Sequence, residues 1–218
     1  MVSKSFGSLP SKIDALVDIN LTINRNEFIA IRGPSGSGKT TLLMVLGGMM
    51  QPSSGIIKIS KQDIYTLDII KRCRFRASNI GFVFQMFYLI PYLNVLENIM
   101  VSTGMGVNKS TQLKALELVD KLGISERIQN KPSEISAGER QRVALGRALI
   151  NKPQIILADE PTGNLDHENS LMVMNTLANY HHEGGTVIVV THGDDANPFA
   201  DKIVYLNKGA IVRNIETN

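Results

Sequence analysis

No stretch of this sequence keeps about 18 apolar residues together, so none has the length to cross a bilayer as a helix. Cysteine is nearly absent: Cys73 stands alone, which excludes an internal disulfide framework and suits a reducing compartment. The first residues, MVSKSFGSLPSK, contain no apolar core of a secretory signal. Charge of either sign is barely in excess. The formal net charge of +3 is too small to mark a nucleic-acid-binding surface, and no nucleic-acid partner is expected. No internal repeat or low-complexity tract stands out. Together these absences lead to the expectation of a cytoplasmic protein, peripheral to any membrane through a partner. What is present, 43% apolar residues over 218 positions, suffices for a sizeable core in one large domain or one domain with an insertion.

Apolar runs without alternation alternate with helical patterns. EFIAIR (27–32), GIIKIS (55–60), NIGFVF (79–84), QIILA (154–158) and TVIVVT (186–191) read as strands, several apolar throughout. Strands of that kind, separated by helices, argue for a parallel sheet covered on both faces. Residues 40–46 have helical character and stop at Gly47 and Gly48. A second helix is expected from Ser110 to Leu122, with Leu113, Leu116, Val119 and Leu122 as its apolar stripe and Gly123 as its stop. A third is expected from His167 to His181, N-capped by Asp166, with Leu171, Met174, Leu177 and Ala178 on its buried face. Residues 202–206, a turn at Asn207-Lys208-Gly209 and residues 210–213 suggest a terminal hairpin. The basic run Lys71, Arg72, Arg74 and Arg76 reads as a solvated face. His167, His181 and His182 lack metal-ligand spacing and read as surface residues.

Charge is scarcest between Arg76 and Lys109, where Glu97 is the only formal charge. Part of this stretch must be core. Pro91 and the polar positions Gln85, Tyr88, Tyr92 and Asn94 interrupt it, however, and argue against one buried element. An uncharged loop bearing aromatic residues and methionine, left partly exposed, would be a docking patch for a partner.

Gly33-Pro34-Ser35-Gly36-Ser37-Gly38-Lys39-Thr40 fits the phosphate-loop pattern G-x-x-x-x-G-K-[ST]. At average residue usage such a match arises by chance in roughly one chain of this length in a hundred. Here it also follows an apolar strand and opens a helix. The glycines let successive N–H groups point at phosphate oxygens, and the helix start adds a favourable dipole. Lys39 would supply a point charge to the β- and γ-phosphates, and the Thr40 hydroxyl would coordinate Mg²⁺. Phosphate binding alone leaves kinases, GTPases and ATPases open. IILADE (155–160) then ends a buried strand in two acids, which fit two roles: Asp159 holding Mg²⁺ and Glu160 polarising a water for in-line attack. His192, closing another apolar strand, could reach the γ-phosphate from the same edge, although alone it reads as an ordinary strand-end histidine. A second anion-suited helix start lies in ISAGERQRVALGRAL (135–149), and a plain phosphate-loop kinase would not need it.

With these motifs in place the chain resembles the nucleotide-binding subunits of ABC transporters over essentially its whole length. Six elements stand in that family's order: GPSGSGKTT (33–41), FVFQ ending at Gln85, ISAGERQRVALGRAL, IILADEP (155–161), GNLD (163–166) and TH (191–192). GFVFQMFYLIPYLNVLEN and ADEPTGNLD are most similar to the branch of lipoprotein-releasing, macrolide-efflux and cell-division ATPases. The resemblance implies one α/β nucleotide-binding domain over residues 1–218. It would be a RecA-like phosphate-loop NTPase core with a mainly parallel sheet, a peripheral antiparallel β-subdomain and a helical subdomain inserted at about 86–152. It also implies a head-to-tail homodimer that sandwiches two ATP molecules. In that arrangement residues Gly33 to Thr41 hold ATP, Thr41 included, and Ser136 and the Gly138 N–H face the γ-phosphate held by the other subunit. Phe6 would stack on adenine, Gln85 would contact Mg²⁺ or the attacking water, and Asp166 would signal across the dimer. Residues 86–96 would receive a transmembrane permease subunit.

Two positions depart from the family pattern, Ala137 for glycine and Glu139 for glutamine. Glu139 is expected to bring negative charge towards the phosphate, with Arg140 and Arg142 as the offset, and ATP-driven dimerisation is expected to be weaker for it. The function expected is ATP hydrolysis that drives a separate membrane protein. A regulatory module of a membrane complex without transport uses the same site and stays open. A soluble ABC ATPase is disfavoured, because the chain has neither paired cassettes nor a long coiled-coil insertion.

Overall fold

The structure, a computed structural model, describes residues 1–8, 10–104 and 109–217. Residues 105–108, which close the weakly charged stretch, lie outside the described residues. A hairpin of β1 (Val2–Phe6) and β2 (Ile13–Ile19) opens the chain, and β3 (Phe28–Arg32) leads through the glycine loop into α1 (Lys39–Leu46). Two short strands, β4 (Lys58–Ile59) and β5 (Gln62–Asp63), precede α2 (Ile69–Asn79) and β6 (Ile80–Phe84). Three helices follow: α3 (Val95–Met100), α4 (Lys109–Lys121) and α5 (Ala137–Leu149). The chain then returns to the sheet with β7 (Ile155–Asp159), α6 (His167–His182), β8 (Thr186–Thr191), β9 (Lys202–Asn207) and β10 (Ala210–Glu216).

The central sheet has the order β10-β9-β3-β8-β7-β6 and is parallel except for the terminal β9–β10 hairpin. Its strands are apolar throughout because both faces are covered. Ile29, Ile31 and Val190 face Leu42, Leu43 and Val45 of α1, with Leu16 and Ile19 of β2. Phe28, Ala30, Ile156 and Val189 face Ile99, Val143, Leu145 and Leu177 from α3, α5 and α6. Each fully buried aliphatic side chain of this kind contributes about 1.5–3 kcal/mol. The antiparallel pairs β1–β2 and β4–β5 stand apart from this sheet, as expected of a peripheral β-subdomain. The terminal hairpin turns on Lys208 (φ 45°) and Gly209 (φ 78°), a two-residue turn that suits the twist of its strands.

Several expectations change. In α4 the buried positions are Ala115 and Val119, followed by Leu122, while Leu113 and Leu116 are exposed. A strict period of three drifts off the 3.6-residue face that meets the core. In α6 Leu171 is exposed and Val173 takes its place in the core. His181 is not a surface residue: its side chain is 15% exposed. Its Nε2 lies 3.1 Å from the Asn26 carbonyl and 3.3 Å from the Asp201 carboxylate, and its ring meets Phe28 edge-on. The basic run at 71–76 is helical as well as solvated. Asp68 caps α2 by accepting from the Lys71 N–H at 2.8 Å, yet the helix buries no residue completely and so leaves no apolar stripe in the sequence. In GIIKIS only Lys58–Ile59 forms a strand.

The corrected α4 face gives a direct test. Leu122→Ala, at a site 5% exposed, should destabilise the protein by about 2–5 kcal/mol in denaturant titration. Leu113→Ala, at a site 53% exposed, should stay within about 0.5 kcal/mol of the parent.

Candidate functional site

The phosphate loop spans the end of β3 and the start of α1. Gly38 caps α1 with φ 101°, and a Cβ there would lie 2.3 Å from the Ala15 carbonyl oxygen, so no side chain fits. The loop is braced from the far end of the chain: the Gly209 N–H donates to the Ser37 carbonyl at 3.0 Å. Ser37 is buried, whereas Pro34, Ser35 and Gly36 are exposed at the rim and Gly33 and Thr41 are half-buried. Lys39 is buried, and its ammonium donates to the Gly33 carbonyl at 2.8 Å and the Pro34 carbonyl at 3.1 Å. The first turn of α1 holds no acid, so its N-terminal dipole is left for an anion.

Parallel register brings the acids to the same edge. Asp159 ends β7, and its Oδ1 accepts from the Thr40 hydroxyl at 3.1 Å. Burial pushes the Asp159 carboxyl above its ordinary value of 3.8, and the neighbouring Glu160 charge adds to this. The Thr40 hydrogen bond and Lys39 oppose that shift. Glu160 adopts φ 44°, a strained conformation for a side chain of this size, and its N–H is tied to the Val190 carbonyl at 2.8 Å. Its carboxylate lies 4.0 Å from the Lys39 ammonium and 2.9 Å from His192 Nδ1, and the His192 backbone N–H donates to it at 3.3 Å. Gln85, one residue beyond β6, donates to Asn164 Oδ1 at 3.5 Å, while Asn164 Nδ2 returns a bond to the Gln85 carbonyl at 3.2 Å. Thr40 thus meets Asp159, and Lys39 and His192 both meet Glu160, at one edge of the sheet. Phe6 ends β1 beside Ile13, two residues before the Ala15 that packs on Gly38, and Lys4 lies over its ring at 5.2 Å.

The second helix start is built differently from expectation. Ser136 Oγ accepts from the Glu139 N–H at 3.2 Å, and Glu139 Oε2 accepts from the Ser136 N–H at 2.7 Å. This capping box turns the Glu139 side chain back along the helix. Its other oxygen accepts from Arg127 Nε at 2.9 Å. The Ser136 N–H and Arg127 hold the Glu139 carboxyl below its ordinary value against partial burial. Arg127 is therefore the offset, and not Arg140 or Arg142. Arg140 donates to the Pro132 carbonyl at 3.1 Å, and Arg142 to Asn169 Oδ1 at 3.3 Å. Gly138 packs against that same Asn169: a Cβ there would lie 2.1 Å from its Oδ1. Asp166 caps α6 through the Asn169 N–H at 2.8 Å and also accepts from Asn169 Nδ2 at 2.8 Å. The side-chain bond of Ser136 is to Glu139, so the structure does not bring this helix start onto the chain's own phosphate loop.

The uncharged loop after Gln85 is partly exposed, at Met86, Tyr88 and Tyr92. Val95 and Leu96 are buried, so the exposed surface is narrower than residues 86–96. Phe87 and Tyr88 both have positive φ, and Arg147 of α5 donates to both of their carbonyls, at 2.5 Å each. Asn98, fully buried, accepts from the Ile90 N–H at 2.7 Å and donates to three carbonyls of residues 90–94. Sequence reasoning missed Arg127, Asn164 and Arg147, because their partners are distant in the chain.

A family model described as ABC transporter matches residues 16–163. The chain belongs to the ABC transporter family. Among curated relatives, the cassette is 40% identical over 97% of its length to the uncharacterized ABC transporter ATP-binding protein YvrO of Bacillus subtilis (strain 168), covering 93% of that protein. It is 38% identical over 95% of its length to the lipoprotein-releasing system ATP-binding protein LolD of Legionella pneumophila (strain Paris), again covering 93%. The macrolide export ATP-binding/permease protein MacB of Bdellovibrio bacteriovorus (strain ATCC 15356 / DSM 50701 / NCIMB 9529 / HD100) is 39% identical over 96% of this chain, which spans 32% of it. A solved post-hydrolysis dimer of the ATP-binding cassette MJ0796, bound to ADP and Pi, superposes with a TM-score of 0.92 at 38% identity, covering 100% of this chain and 97% of that one. The phosphate-loop NTPase fold is thereby shown, and the cassette is an ATPase of this family. No helix among the described residues is long and apolar enough to cross a membrane.

The raised Asp159 carboxyl has a consequence for stability. Below 3.8 both folded and unfolded chains carry the proton there, and aspartate and asparagine are equivalent. Above the raised native value, the folded chain bears a half-buried charge that the unfolded chain hydrates freely. Asp159→Asn should therefore raise the melting temperature of the nucleotide-free cassette at pH 7 by a few degrees. In thermal unfolding series the gain should shrink as pH falls towards 4.

Proposed function

We propose that the cassette is the ATP-hydrolysing subunit of a membrane transporter, in which two copies close head-to-tail on ATP and drive a separate transmembrane permease. The observation that carries this reading is the contact of Glu160 with both His192 and Lys39 at the phosphate loop, while the Ser136 helix start is exposed for a second subunit. The loop N–H groups and Lys39 bind the phosphates, and Phe6 stacks on the base. Glu160 takes the proton of the attacking water, and His192 aligns the γ-phosphate and holds the Glu160 carboxylate. From the other subunit, Ser136 and the Gly138 N–H close over the same γ-phosphate, and Asp166 relays closure between the two sites.

The oxygen donors fit Mg²⁺. The Thr40 hydroxyl and Asp159 carboxylate meet at 3.1 Å, and Gln85 adds an amide oxygen at the neighbouring strand end. Bound there, the ion would neutralise charge on the β- and γ-phosphates. A cation also favours the ionised form of the half-buried Asp159. We further assign residues 1–218 to one nucleotide-binding domain with a helical subdomain at about 86–152. Met86, Tyr88 and Tyr92 are its docking surface for the permease, which would hold the cassette at the cytoplasmic face of the membrane. The relatives named lipoprotein-releasing and macrolide-export proteins support a transport role.

Glu160→Gln should lower ATP turnover at least about 100-fold and trap an ATP-bound dimer in gel filtration. A monomer only, at saturating ATP, would count against the shared site. Lys39→Ala should lose nucleotide binding itself, measured with a fluorescent ATP analogue.

A further inference from the structure

The loop that follows His192 carries two adjacent acids, and each reaches a different part of the site. Asp194 meets the Arg32 guanidinium at 2.5 Å. Arg32 is the last residue of β3, directly before Gly33 of the phosphate loop. Its side chain is 17% exposed, lies over the Tyr205 ring at 5.6 Å, and places Nη1 3.4 Å from the Tyr205 hydroxyl. The Asp194 oxygen that meets Arg32, Oδ1, also accepts from Asn197 Nδ2 at 2.9 Å. Asp195 accepts from the Thr162 hydroxyl at 3.1 Å. Thr162 is buried and stands two residues after Glu160. The His192 side chain, by contrast, is 69% exposed, and among the described residues its ring nitrogens have one polar partner, the Glu160 carboxylate.

We propose that Asp194 and Asp195 are positioning residues, a two-armed bracket that fixes the His192 loop to the phosphate-loop strand through Arg32 and to the segment after Glu160 through Thr162. The Asp194 carboxylate is 77% exposed, so its pairing with the half-buried Arg32 adds little to global stability, and the value of the arrangement lies in geometry. With its side chain 69% exposed, His192 has little packing to hold its ring. The bracket restricts the backbone on its C-terminal side, and β8 restricts it on the other. A ring held in this way stays within hydrogen-bond reach of Glu160 without a search at each turnover. The proposal rests on the reading of Glu160 and His192 given above.

Asp194 and Asp195 are both exposed, so their alanine variants should fold. At saturating ATP, Asp194→Ala and Asp195→Ala should each lower kcat about 3- to 10-fold, and the double variant about 10- to 100-fold, with KM for ATP within about twofold of the parent. Thr162→Ser, which keeps the hydroxyl, should retain parent activity, whereas Thr162→Val should match Asp195→Ala. With four histidines in the chain, spectra of protein labelled with ¹³C-histidine resolve His192 directly. Its imidazole signal should move on Glu160→Gln in the parent and stay still on the same change in the double alanine variant. An unchanged kcat, a KM that rises in parallel, or a His192 signal that still responds to Glu160→Gln in the double variant would overturn the bracket. If the His192 signal ignores Glu160→Gln in the parent as well, the Glu160–His192 contact itself fails, and the bracket falls with it.

Discussion

Parallel pairing of β3, β8, β7 and β6 is the constraint on which the rest of this cassette depends. Arg32 pairs with Thr191, Asp159 with Val190, and Phe84 with Asp159, so all four strands stop at one level. The residues that come next, Gly33, His192, Glu160 and Gln85, leave the sheet side by side as a result. None of these four is near another in sequence. Register makes them neighbours, and packing fixes the register, since a slip of one residue would exchange the side chains fitted against α1 with those fitted against α3, α5 and α6.

Much of that sheet was legible in the sequence because its strands are short, apolar throughout and bounded by glycine, proline or acids. The phosphate loop and the acids of β7 were legible for a related reason: their chemistry is local, with loop, lysine and hydroxyl contiguous in the chain. What was not legible is long-range or lacks an apolar stripe. The α2 helix buries no residue completely, so periodicity had nothing to register. Leu113 and Leu116 imitate a buried stripe in α4 although the core lies along Ala115 and Val119. His181 has no local mark of the Asn26 and Asp201 contacts that hold it. The partner of Glu139 is Arg127, on a separate 3-10 turn, and no spacing rule picks it out from Arg140 and Arg142.

Site and core are built by opposite rules. The core joins like surfaces. The site sets a half-buried acid beside another acid, holds Glu160 at a positive φ, and confines the Lys39 ammonium among carbonyls. Each of these arrangements works against stability when taken singly. They persist because the surrounding strands leave the backbone no alternative. The weakly charged loop follows the same logic at a distance, since Phe87 and Tyr88 keep their uncommon conformations under the grip of Arg147, a partly desolvated arginine whose own proton affinity burial lowers.

The bond from Gly209 to Ser37 also orders events in time. A ribosome releases the phosphate loop early and the turn that braces it roughly 170 residues later, an interval of about 10–30 s at ordinary rates of synthesis. For most of that interval β3 also lacks β8 and β9, the two strands that flank it in the finished sheet. The nucleotide site is therefore among the last parts of the molecule to acquire its final shape, although its most recognisable residues are among the first to be made.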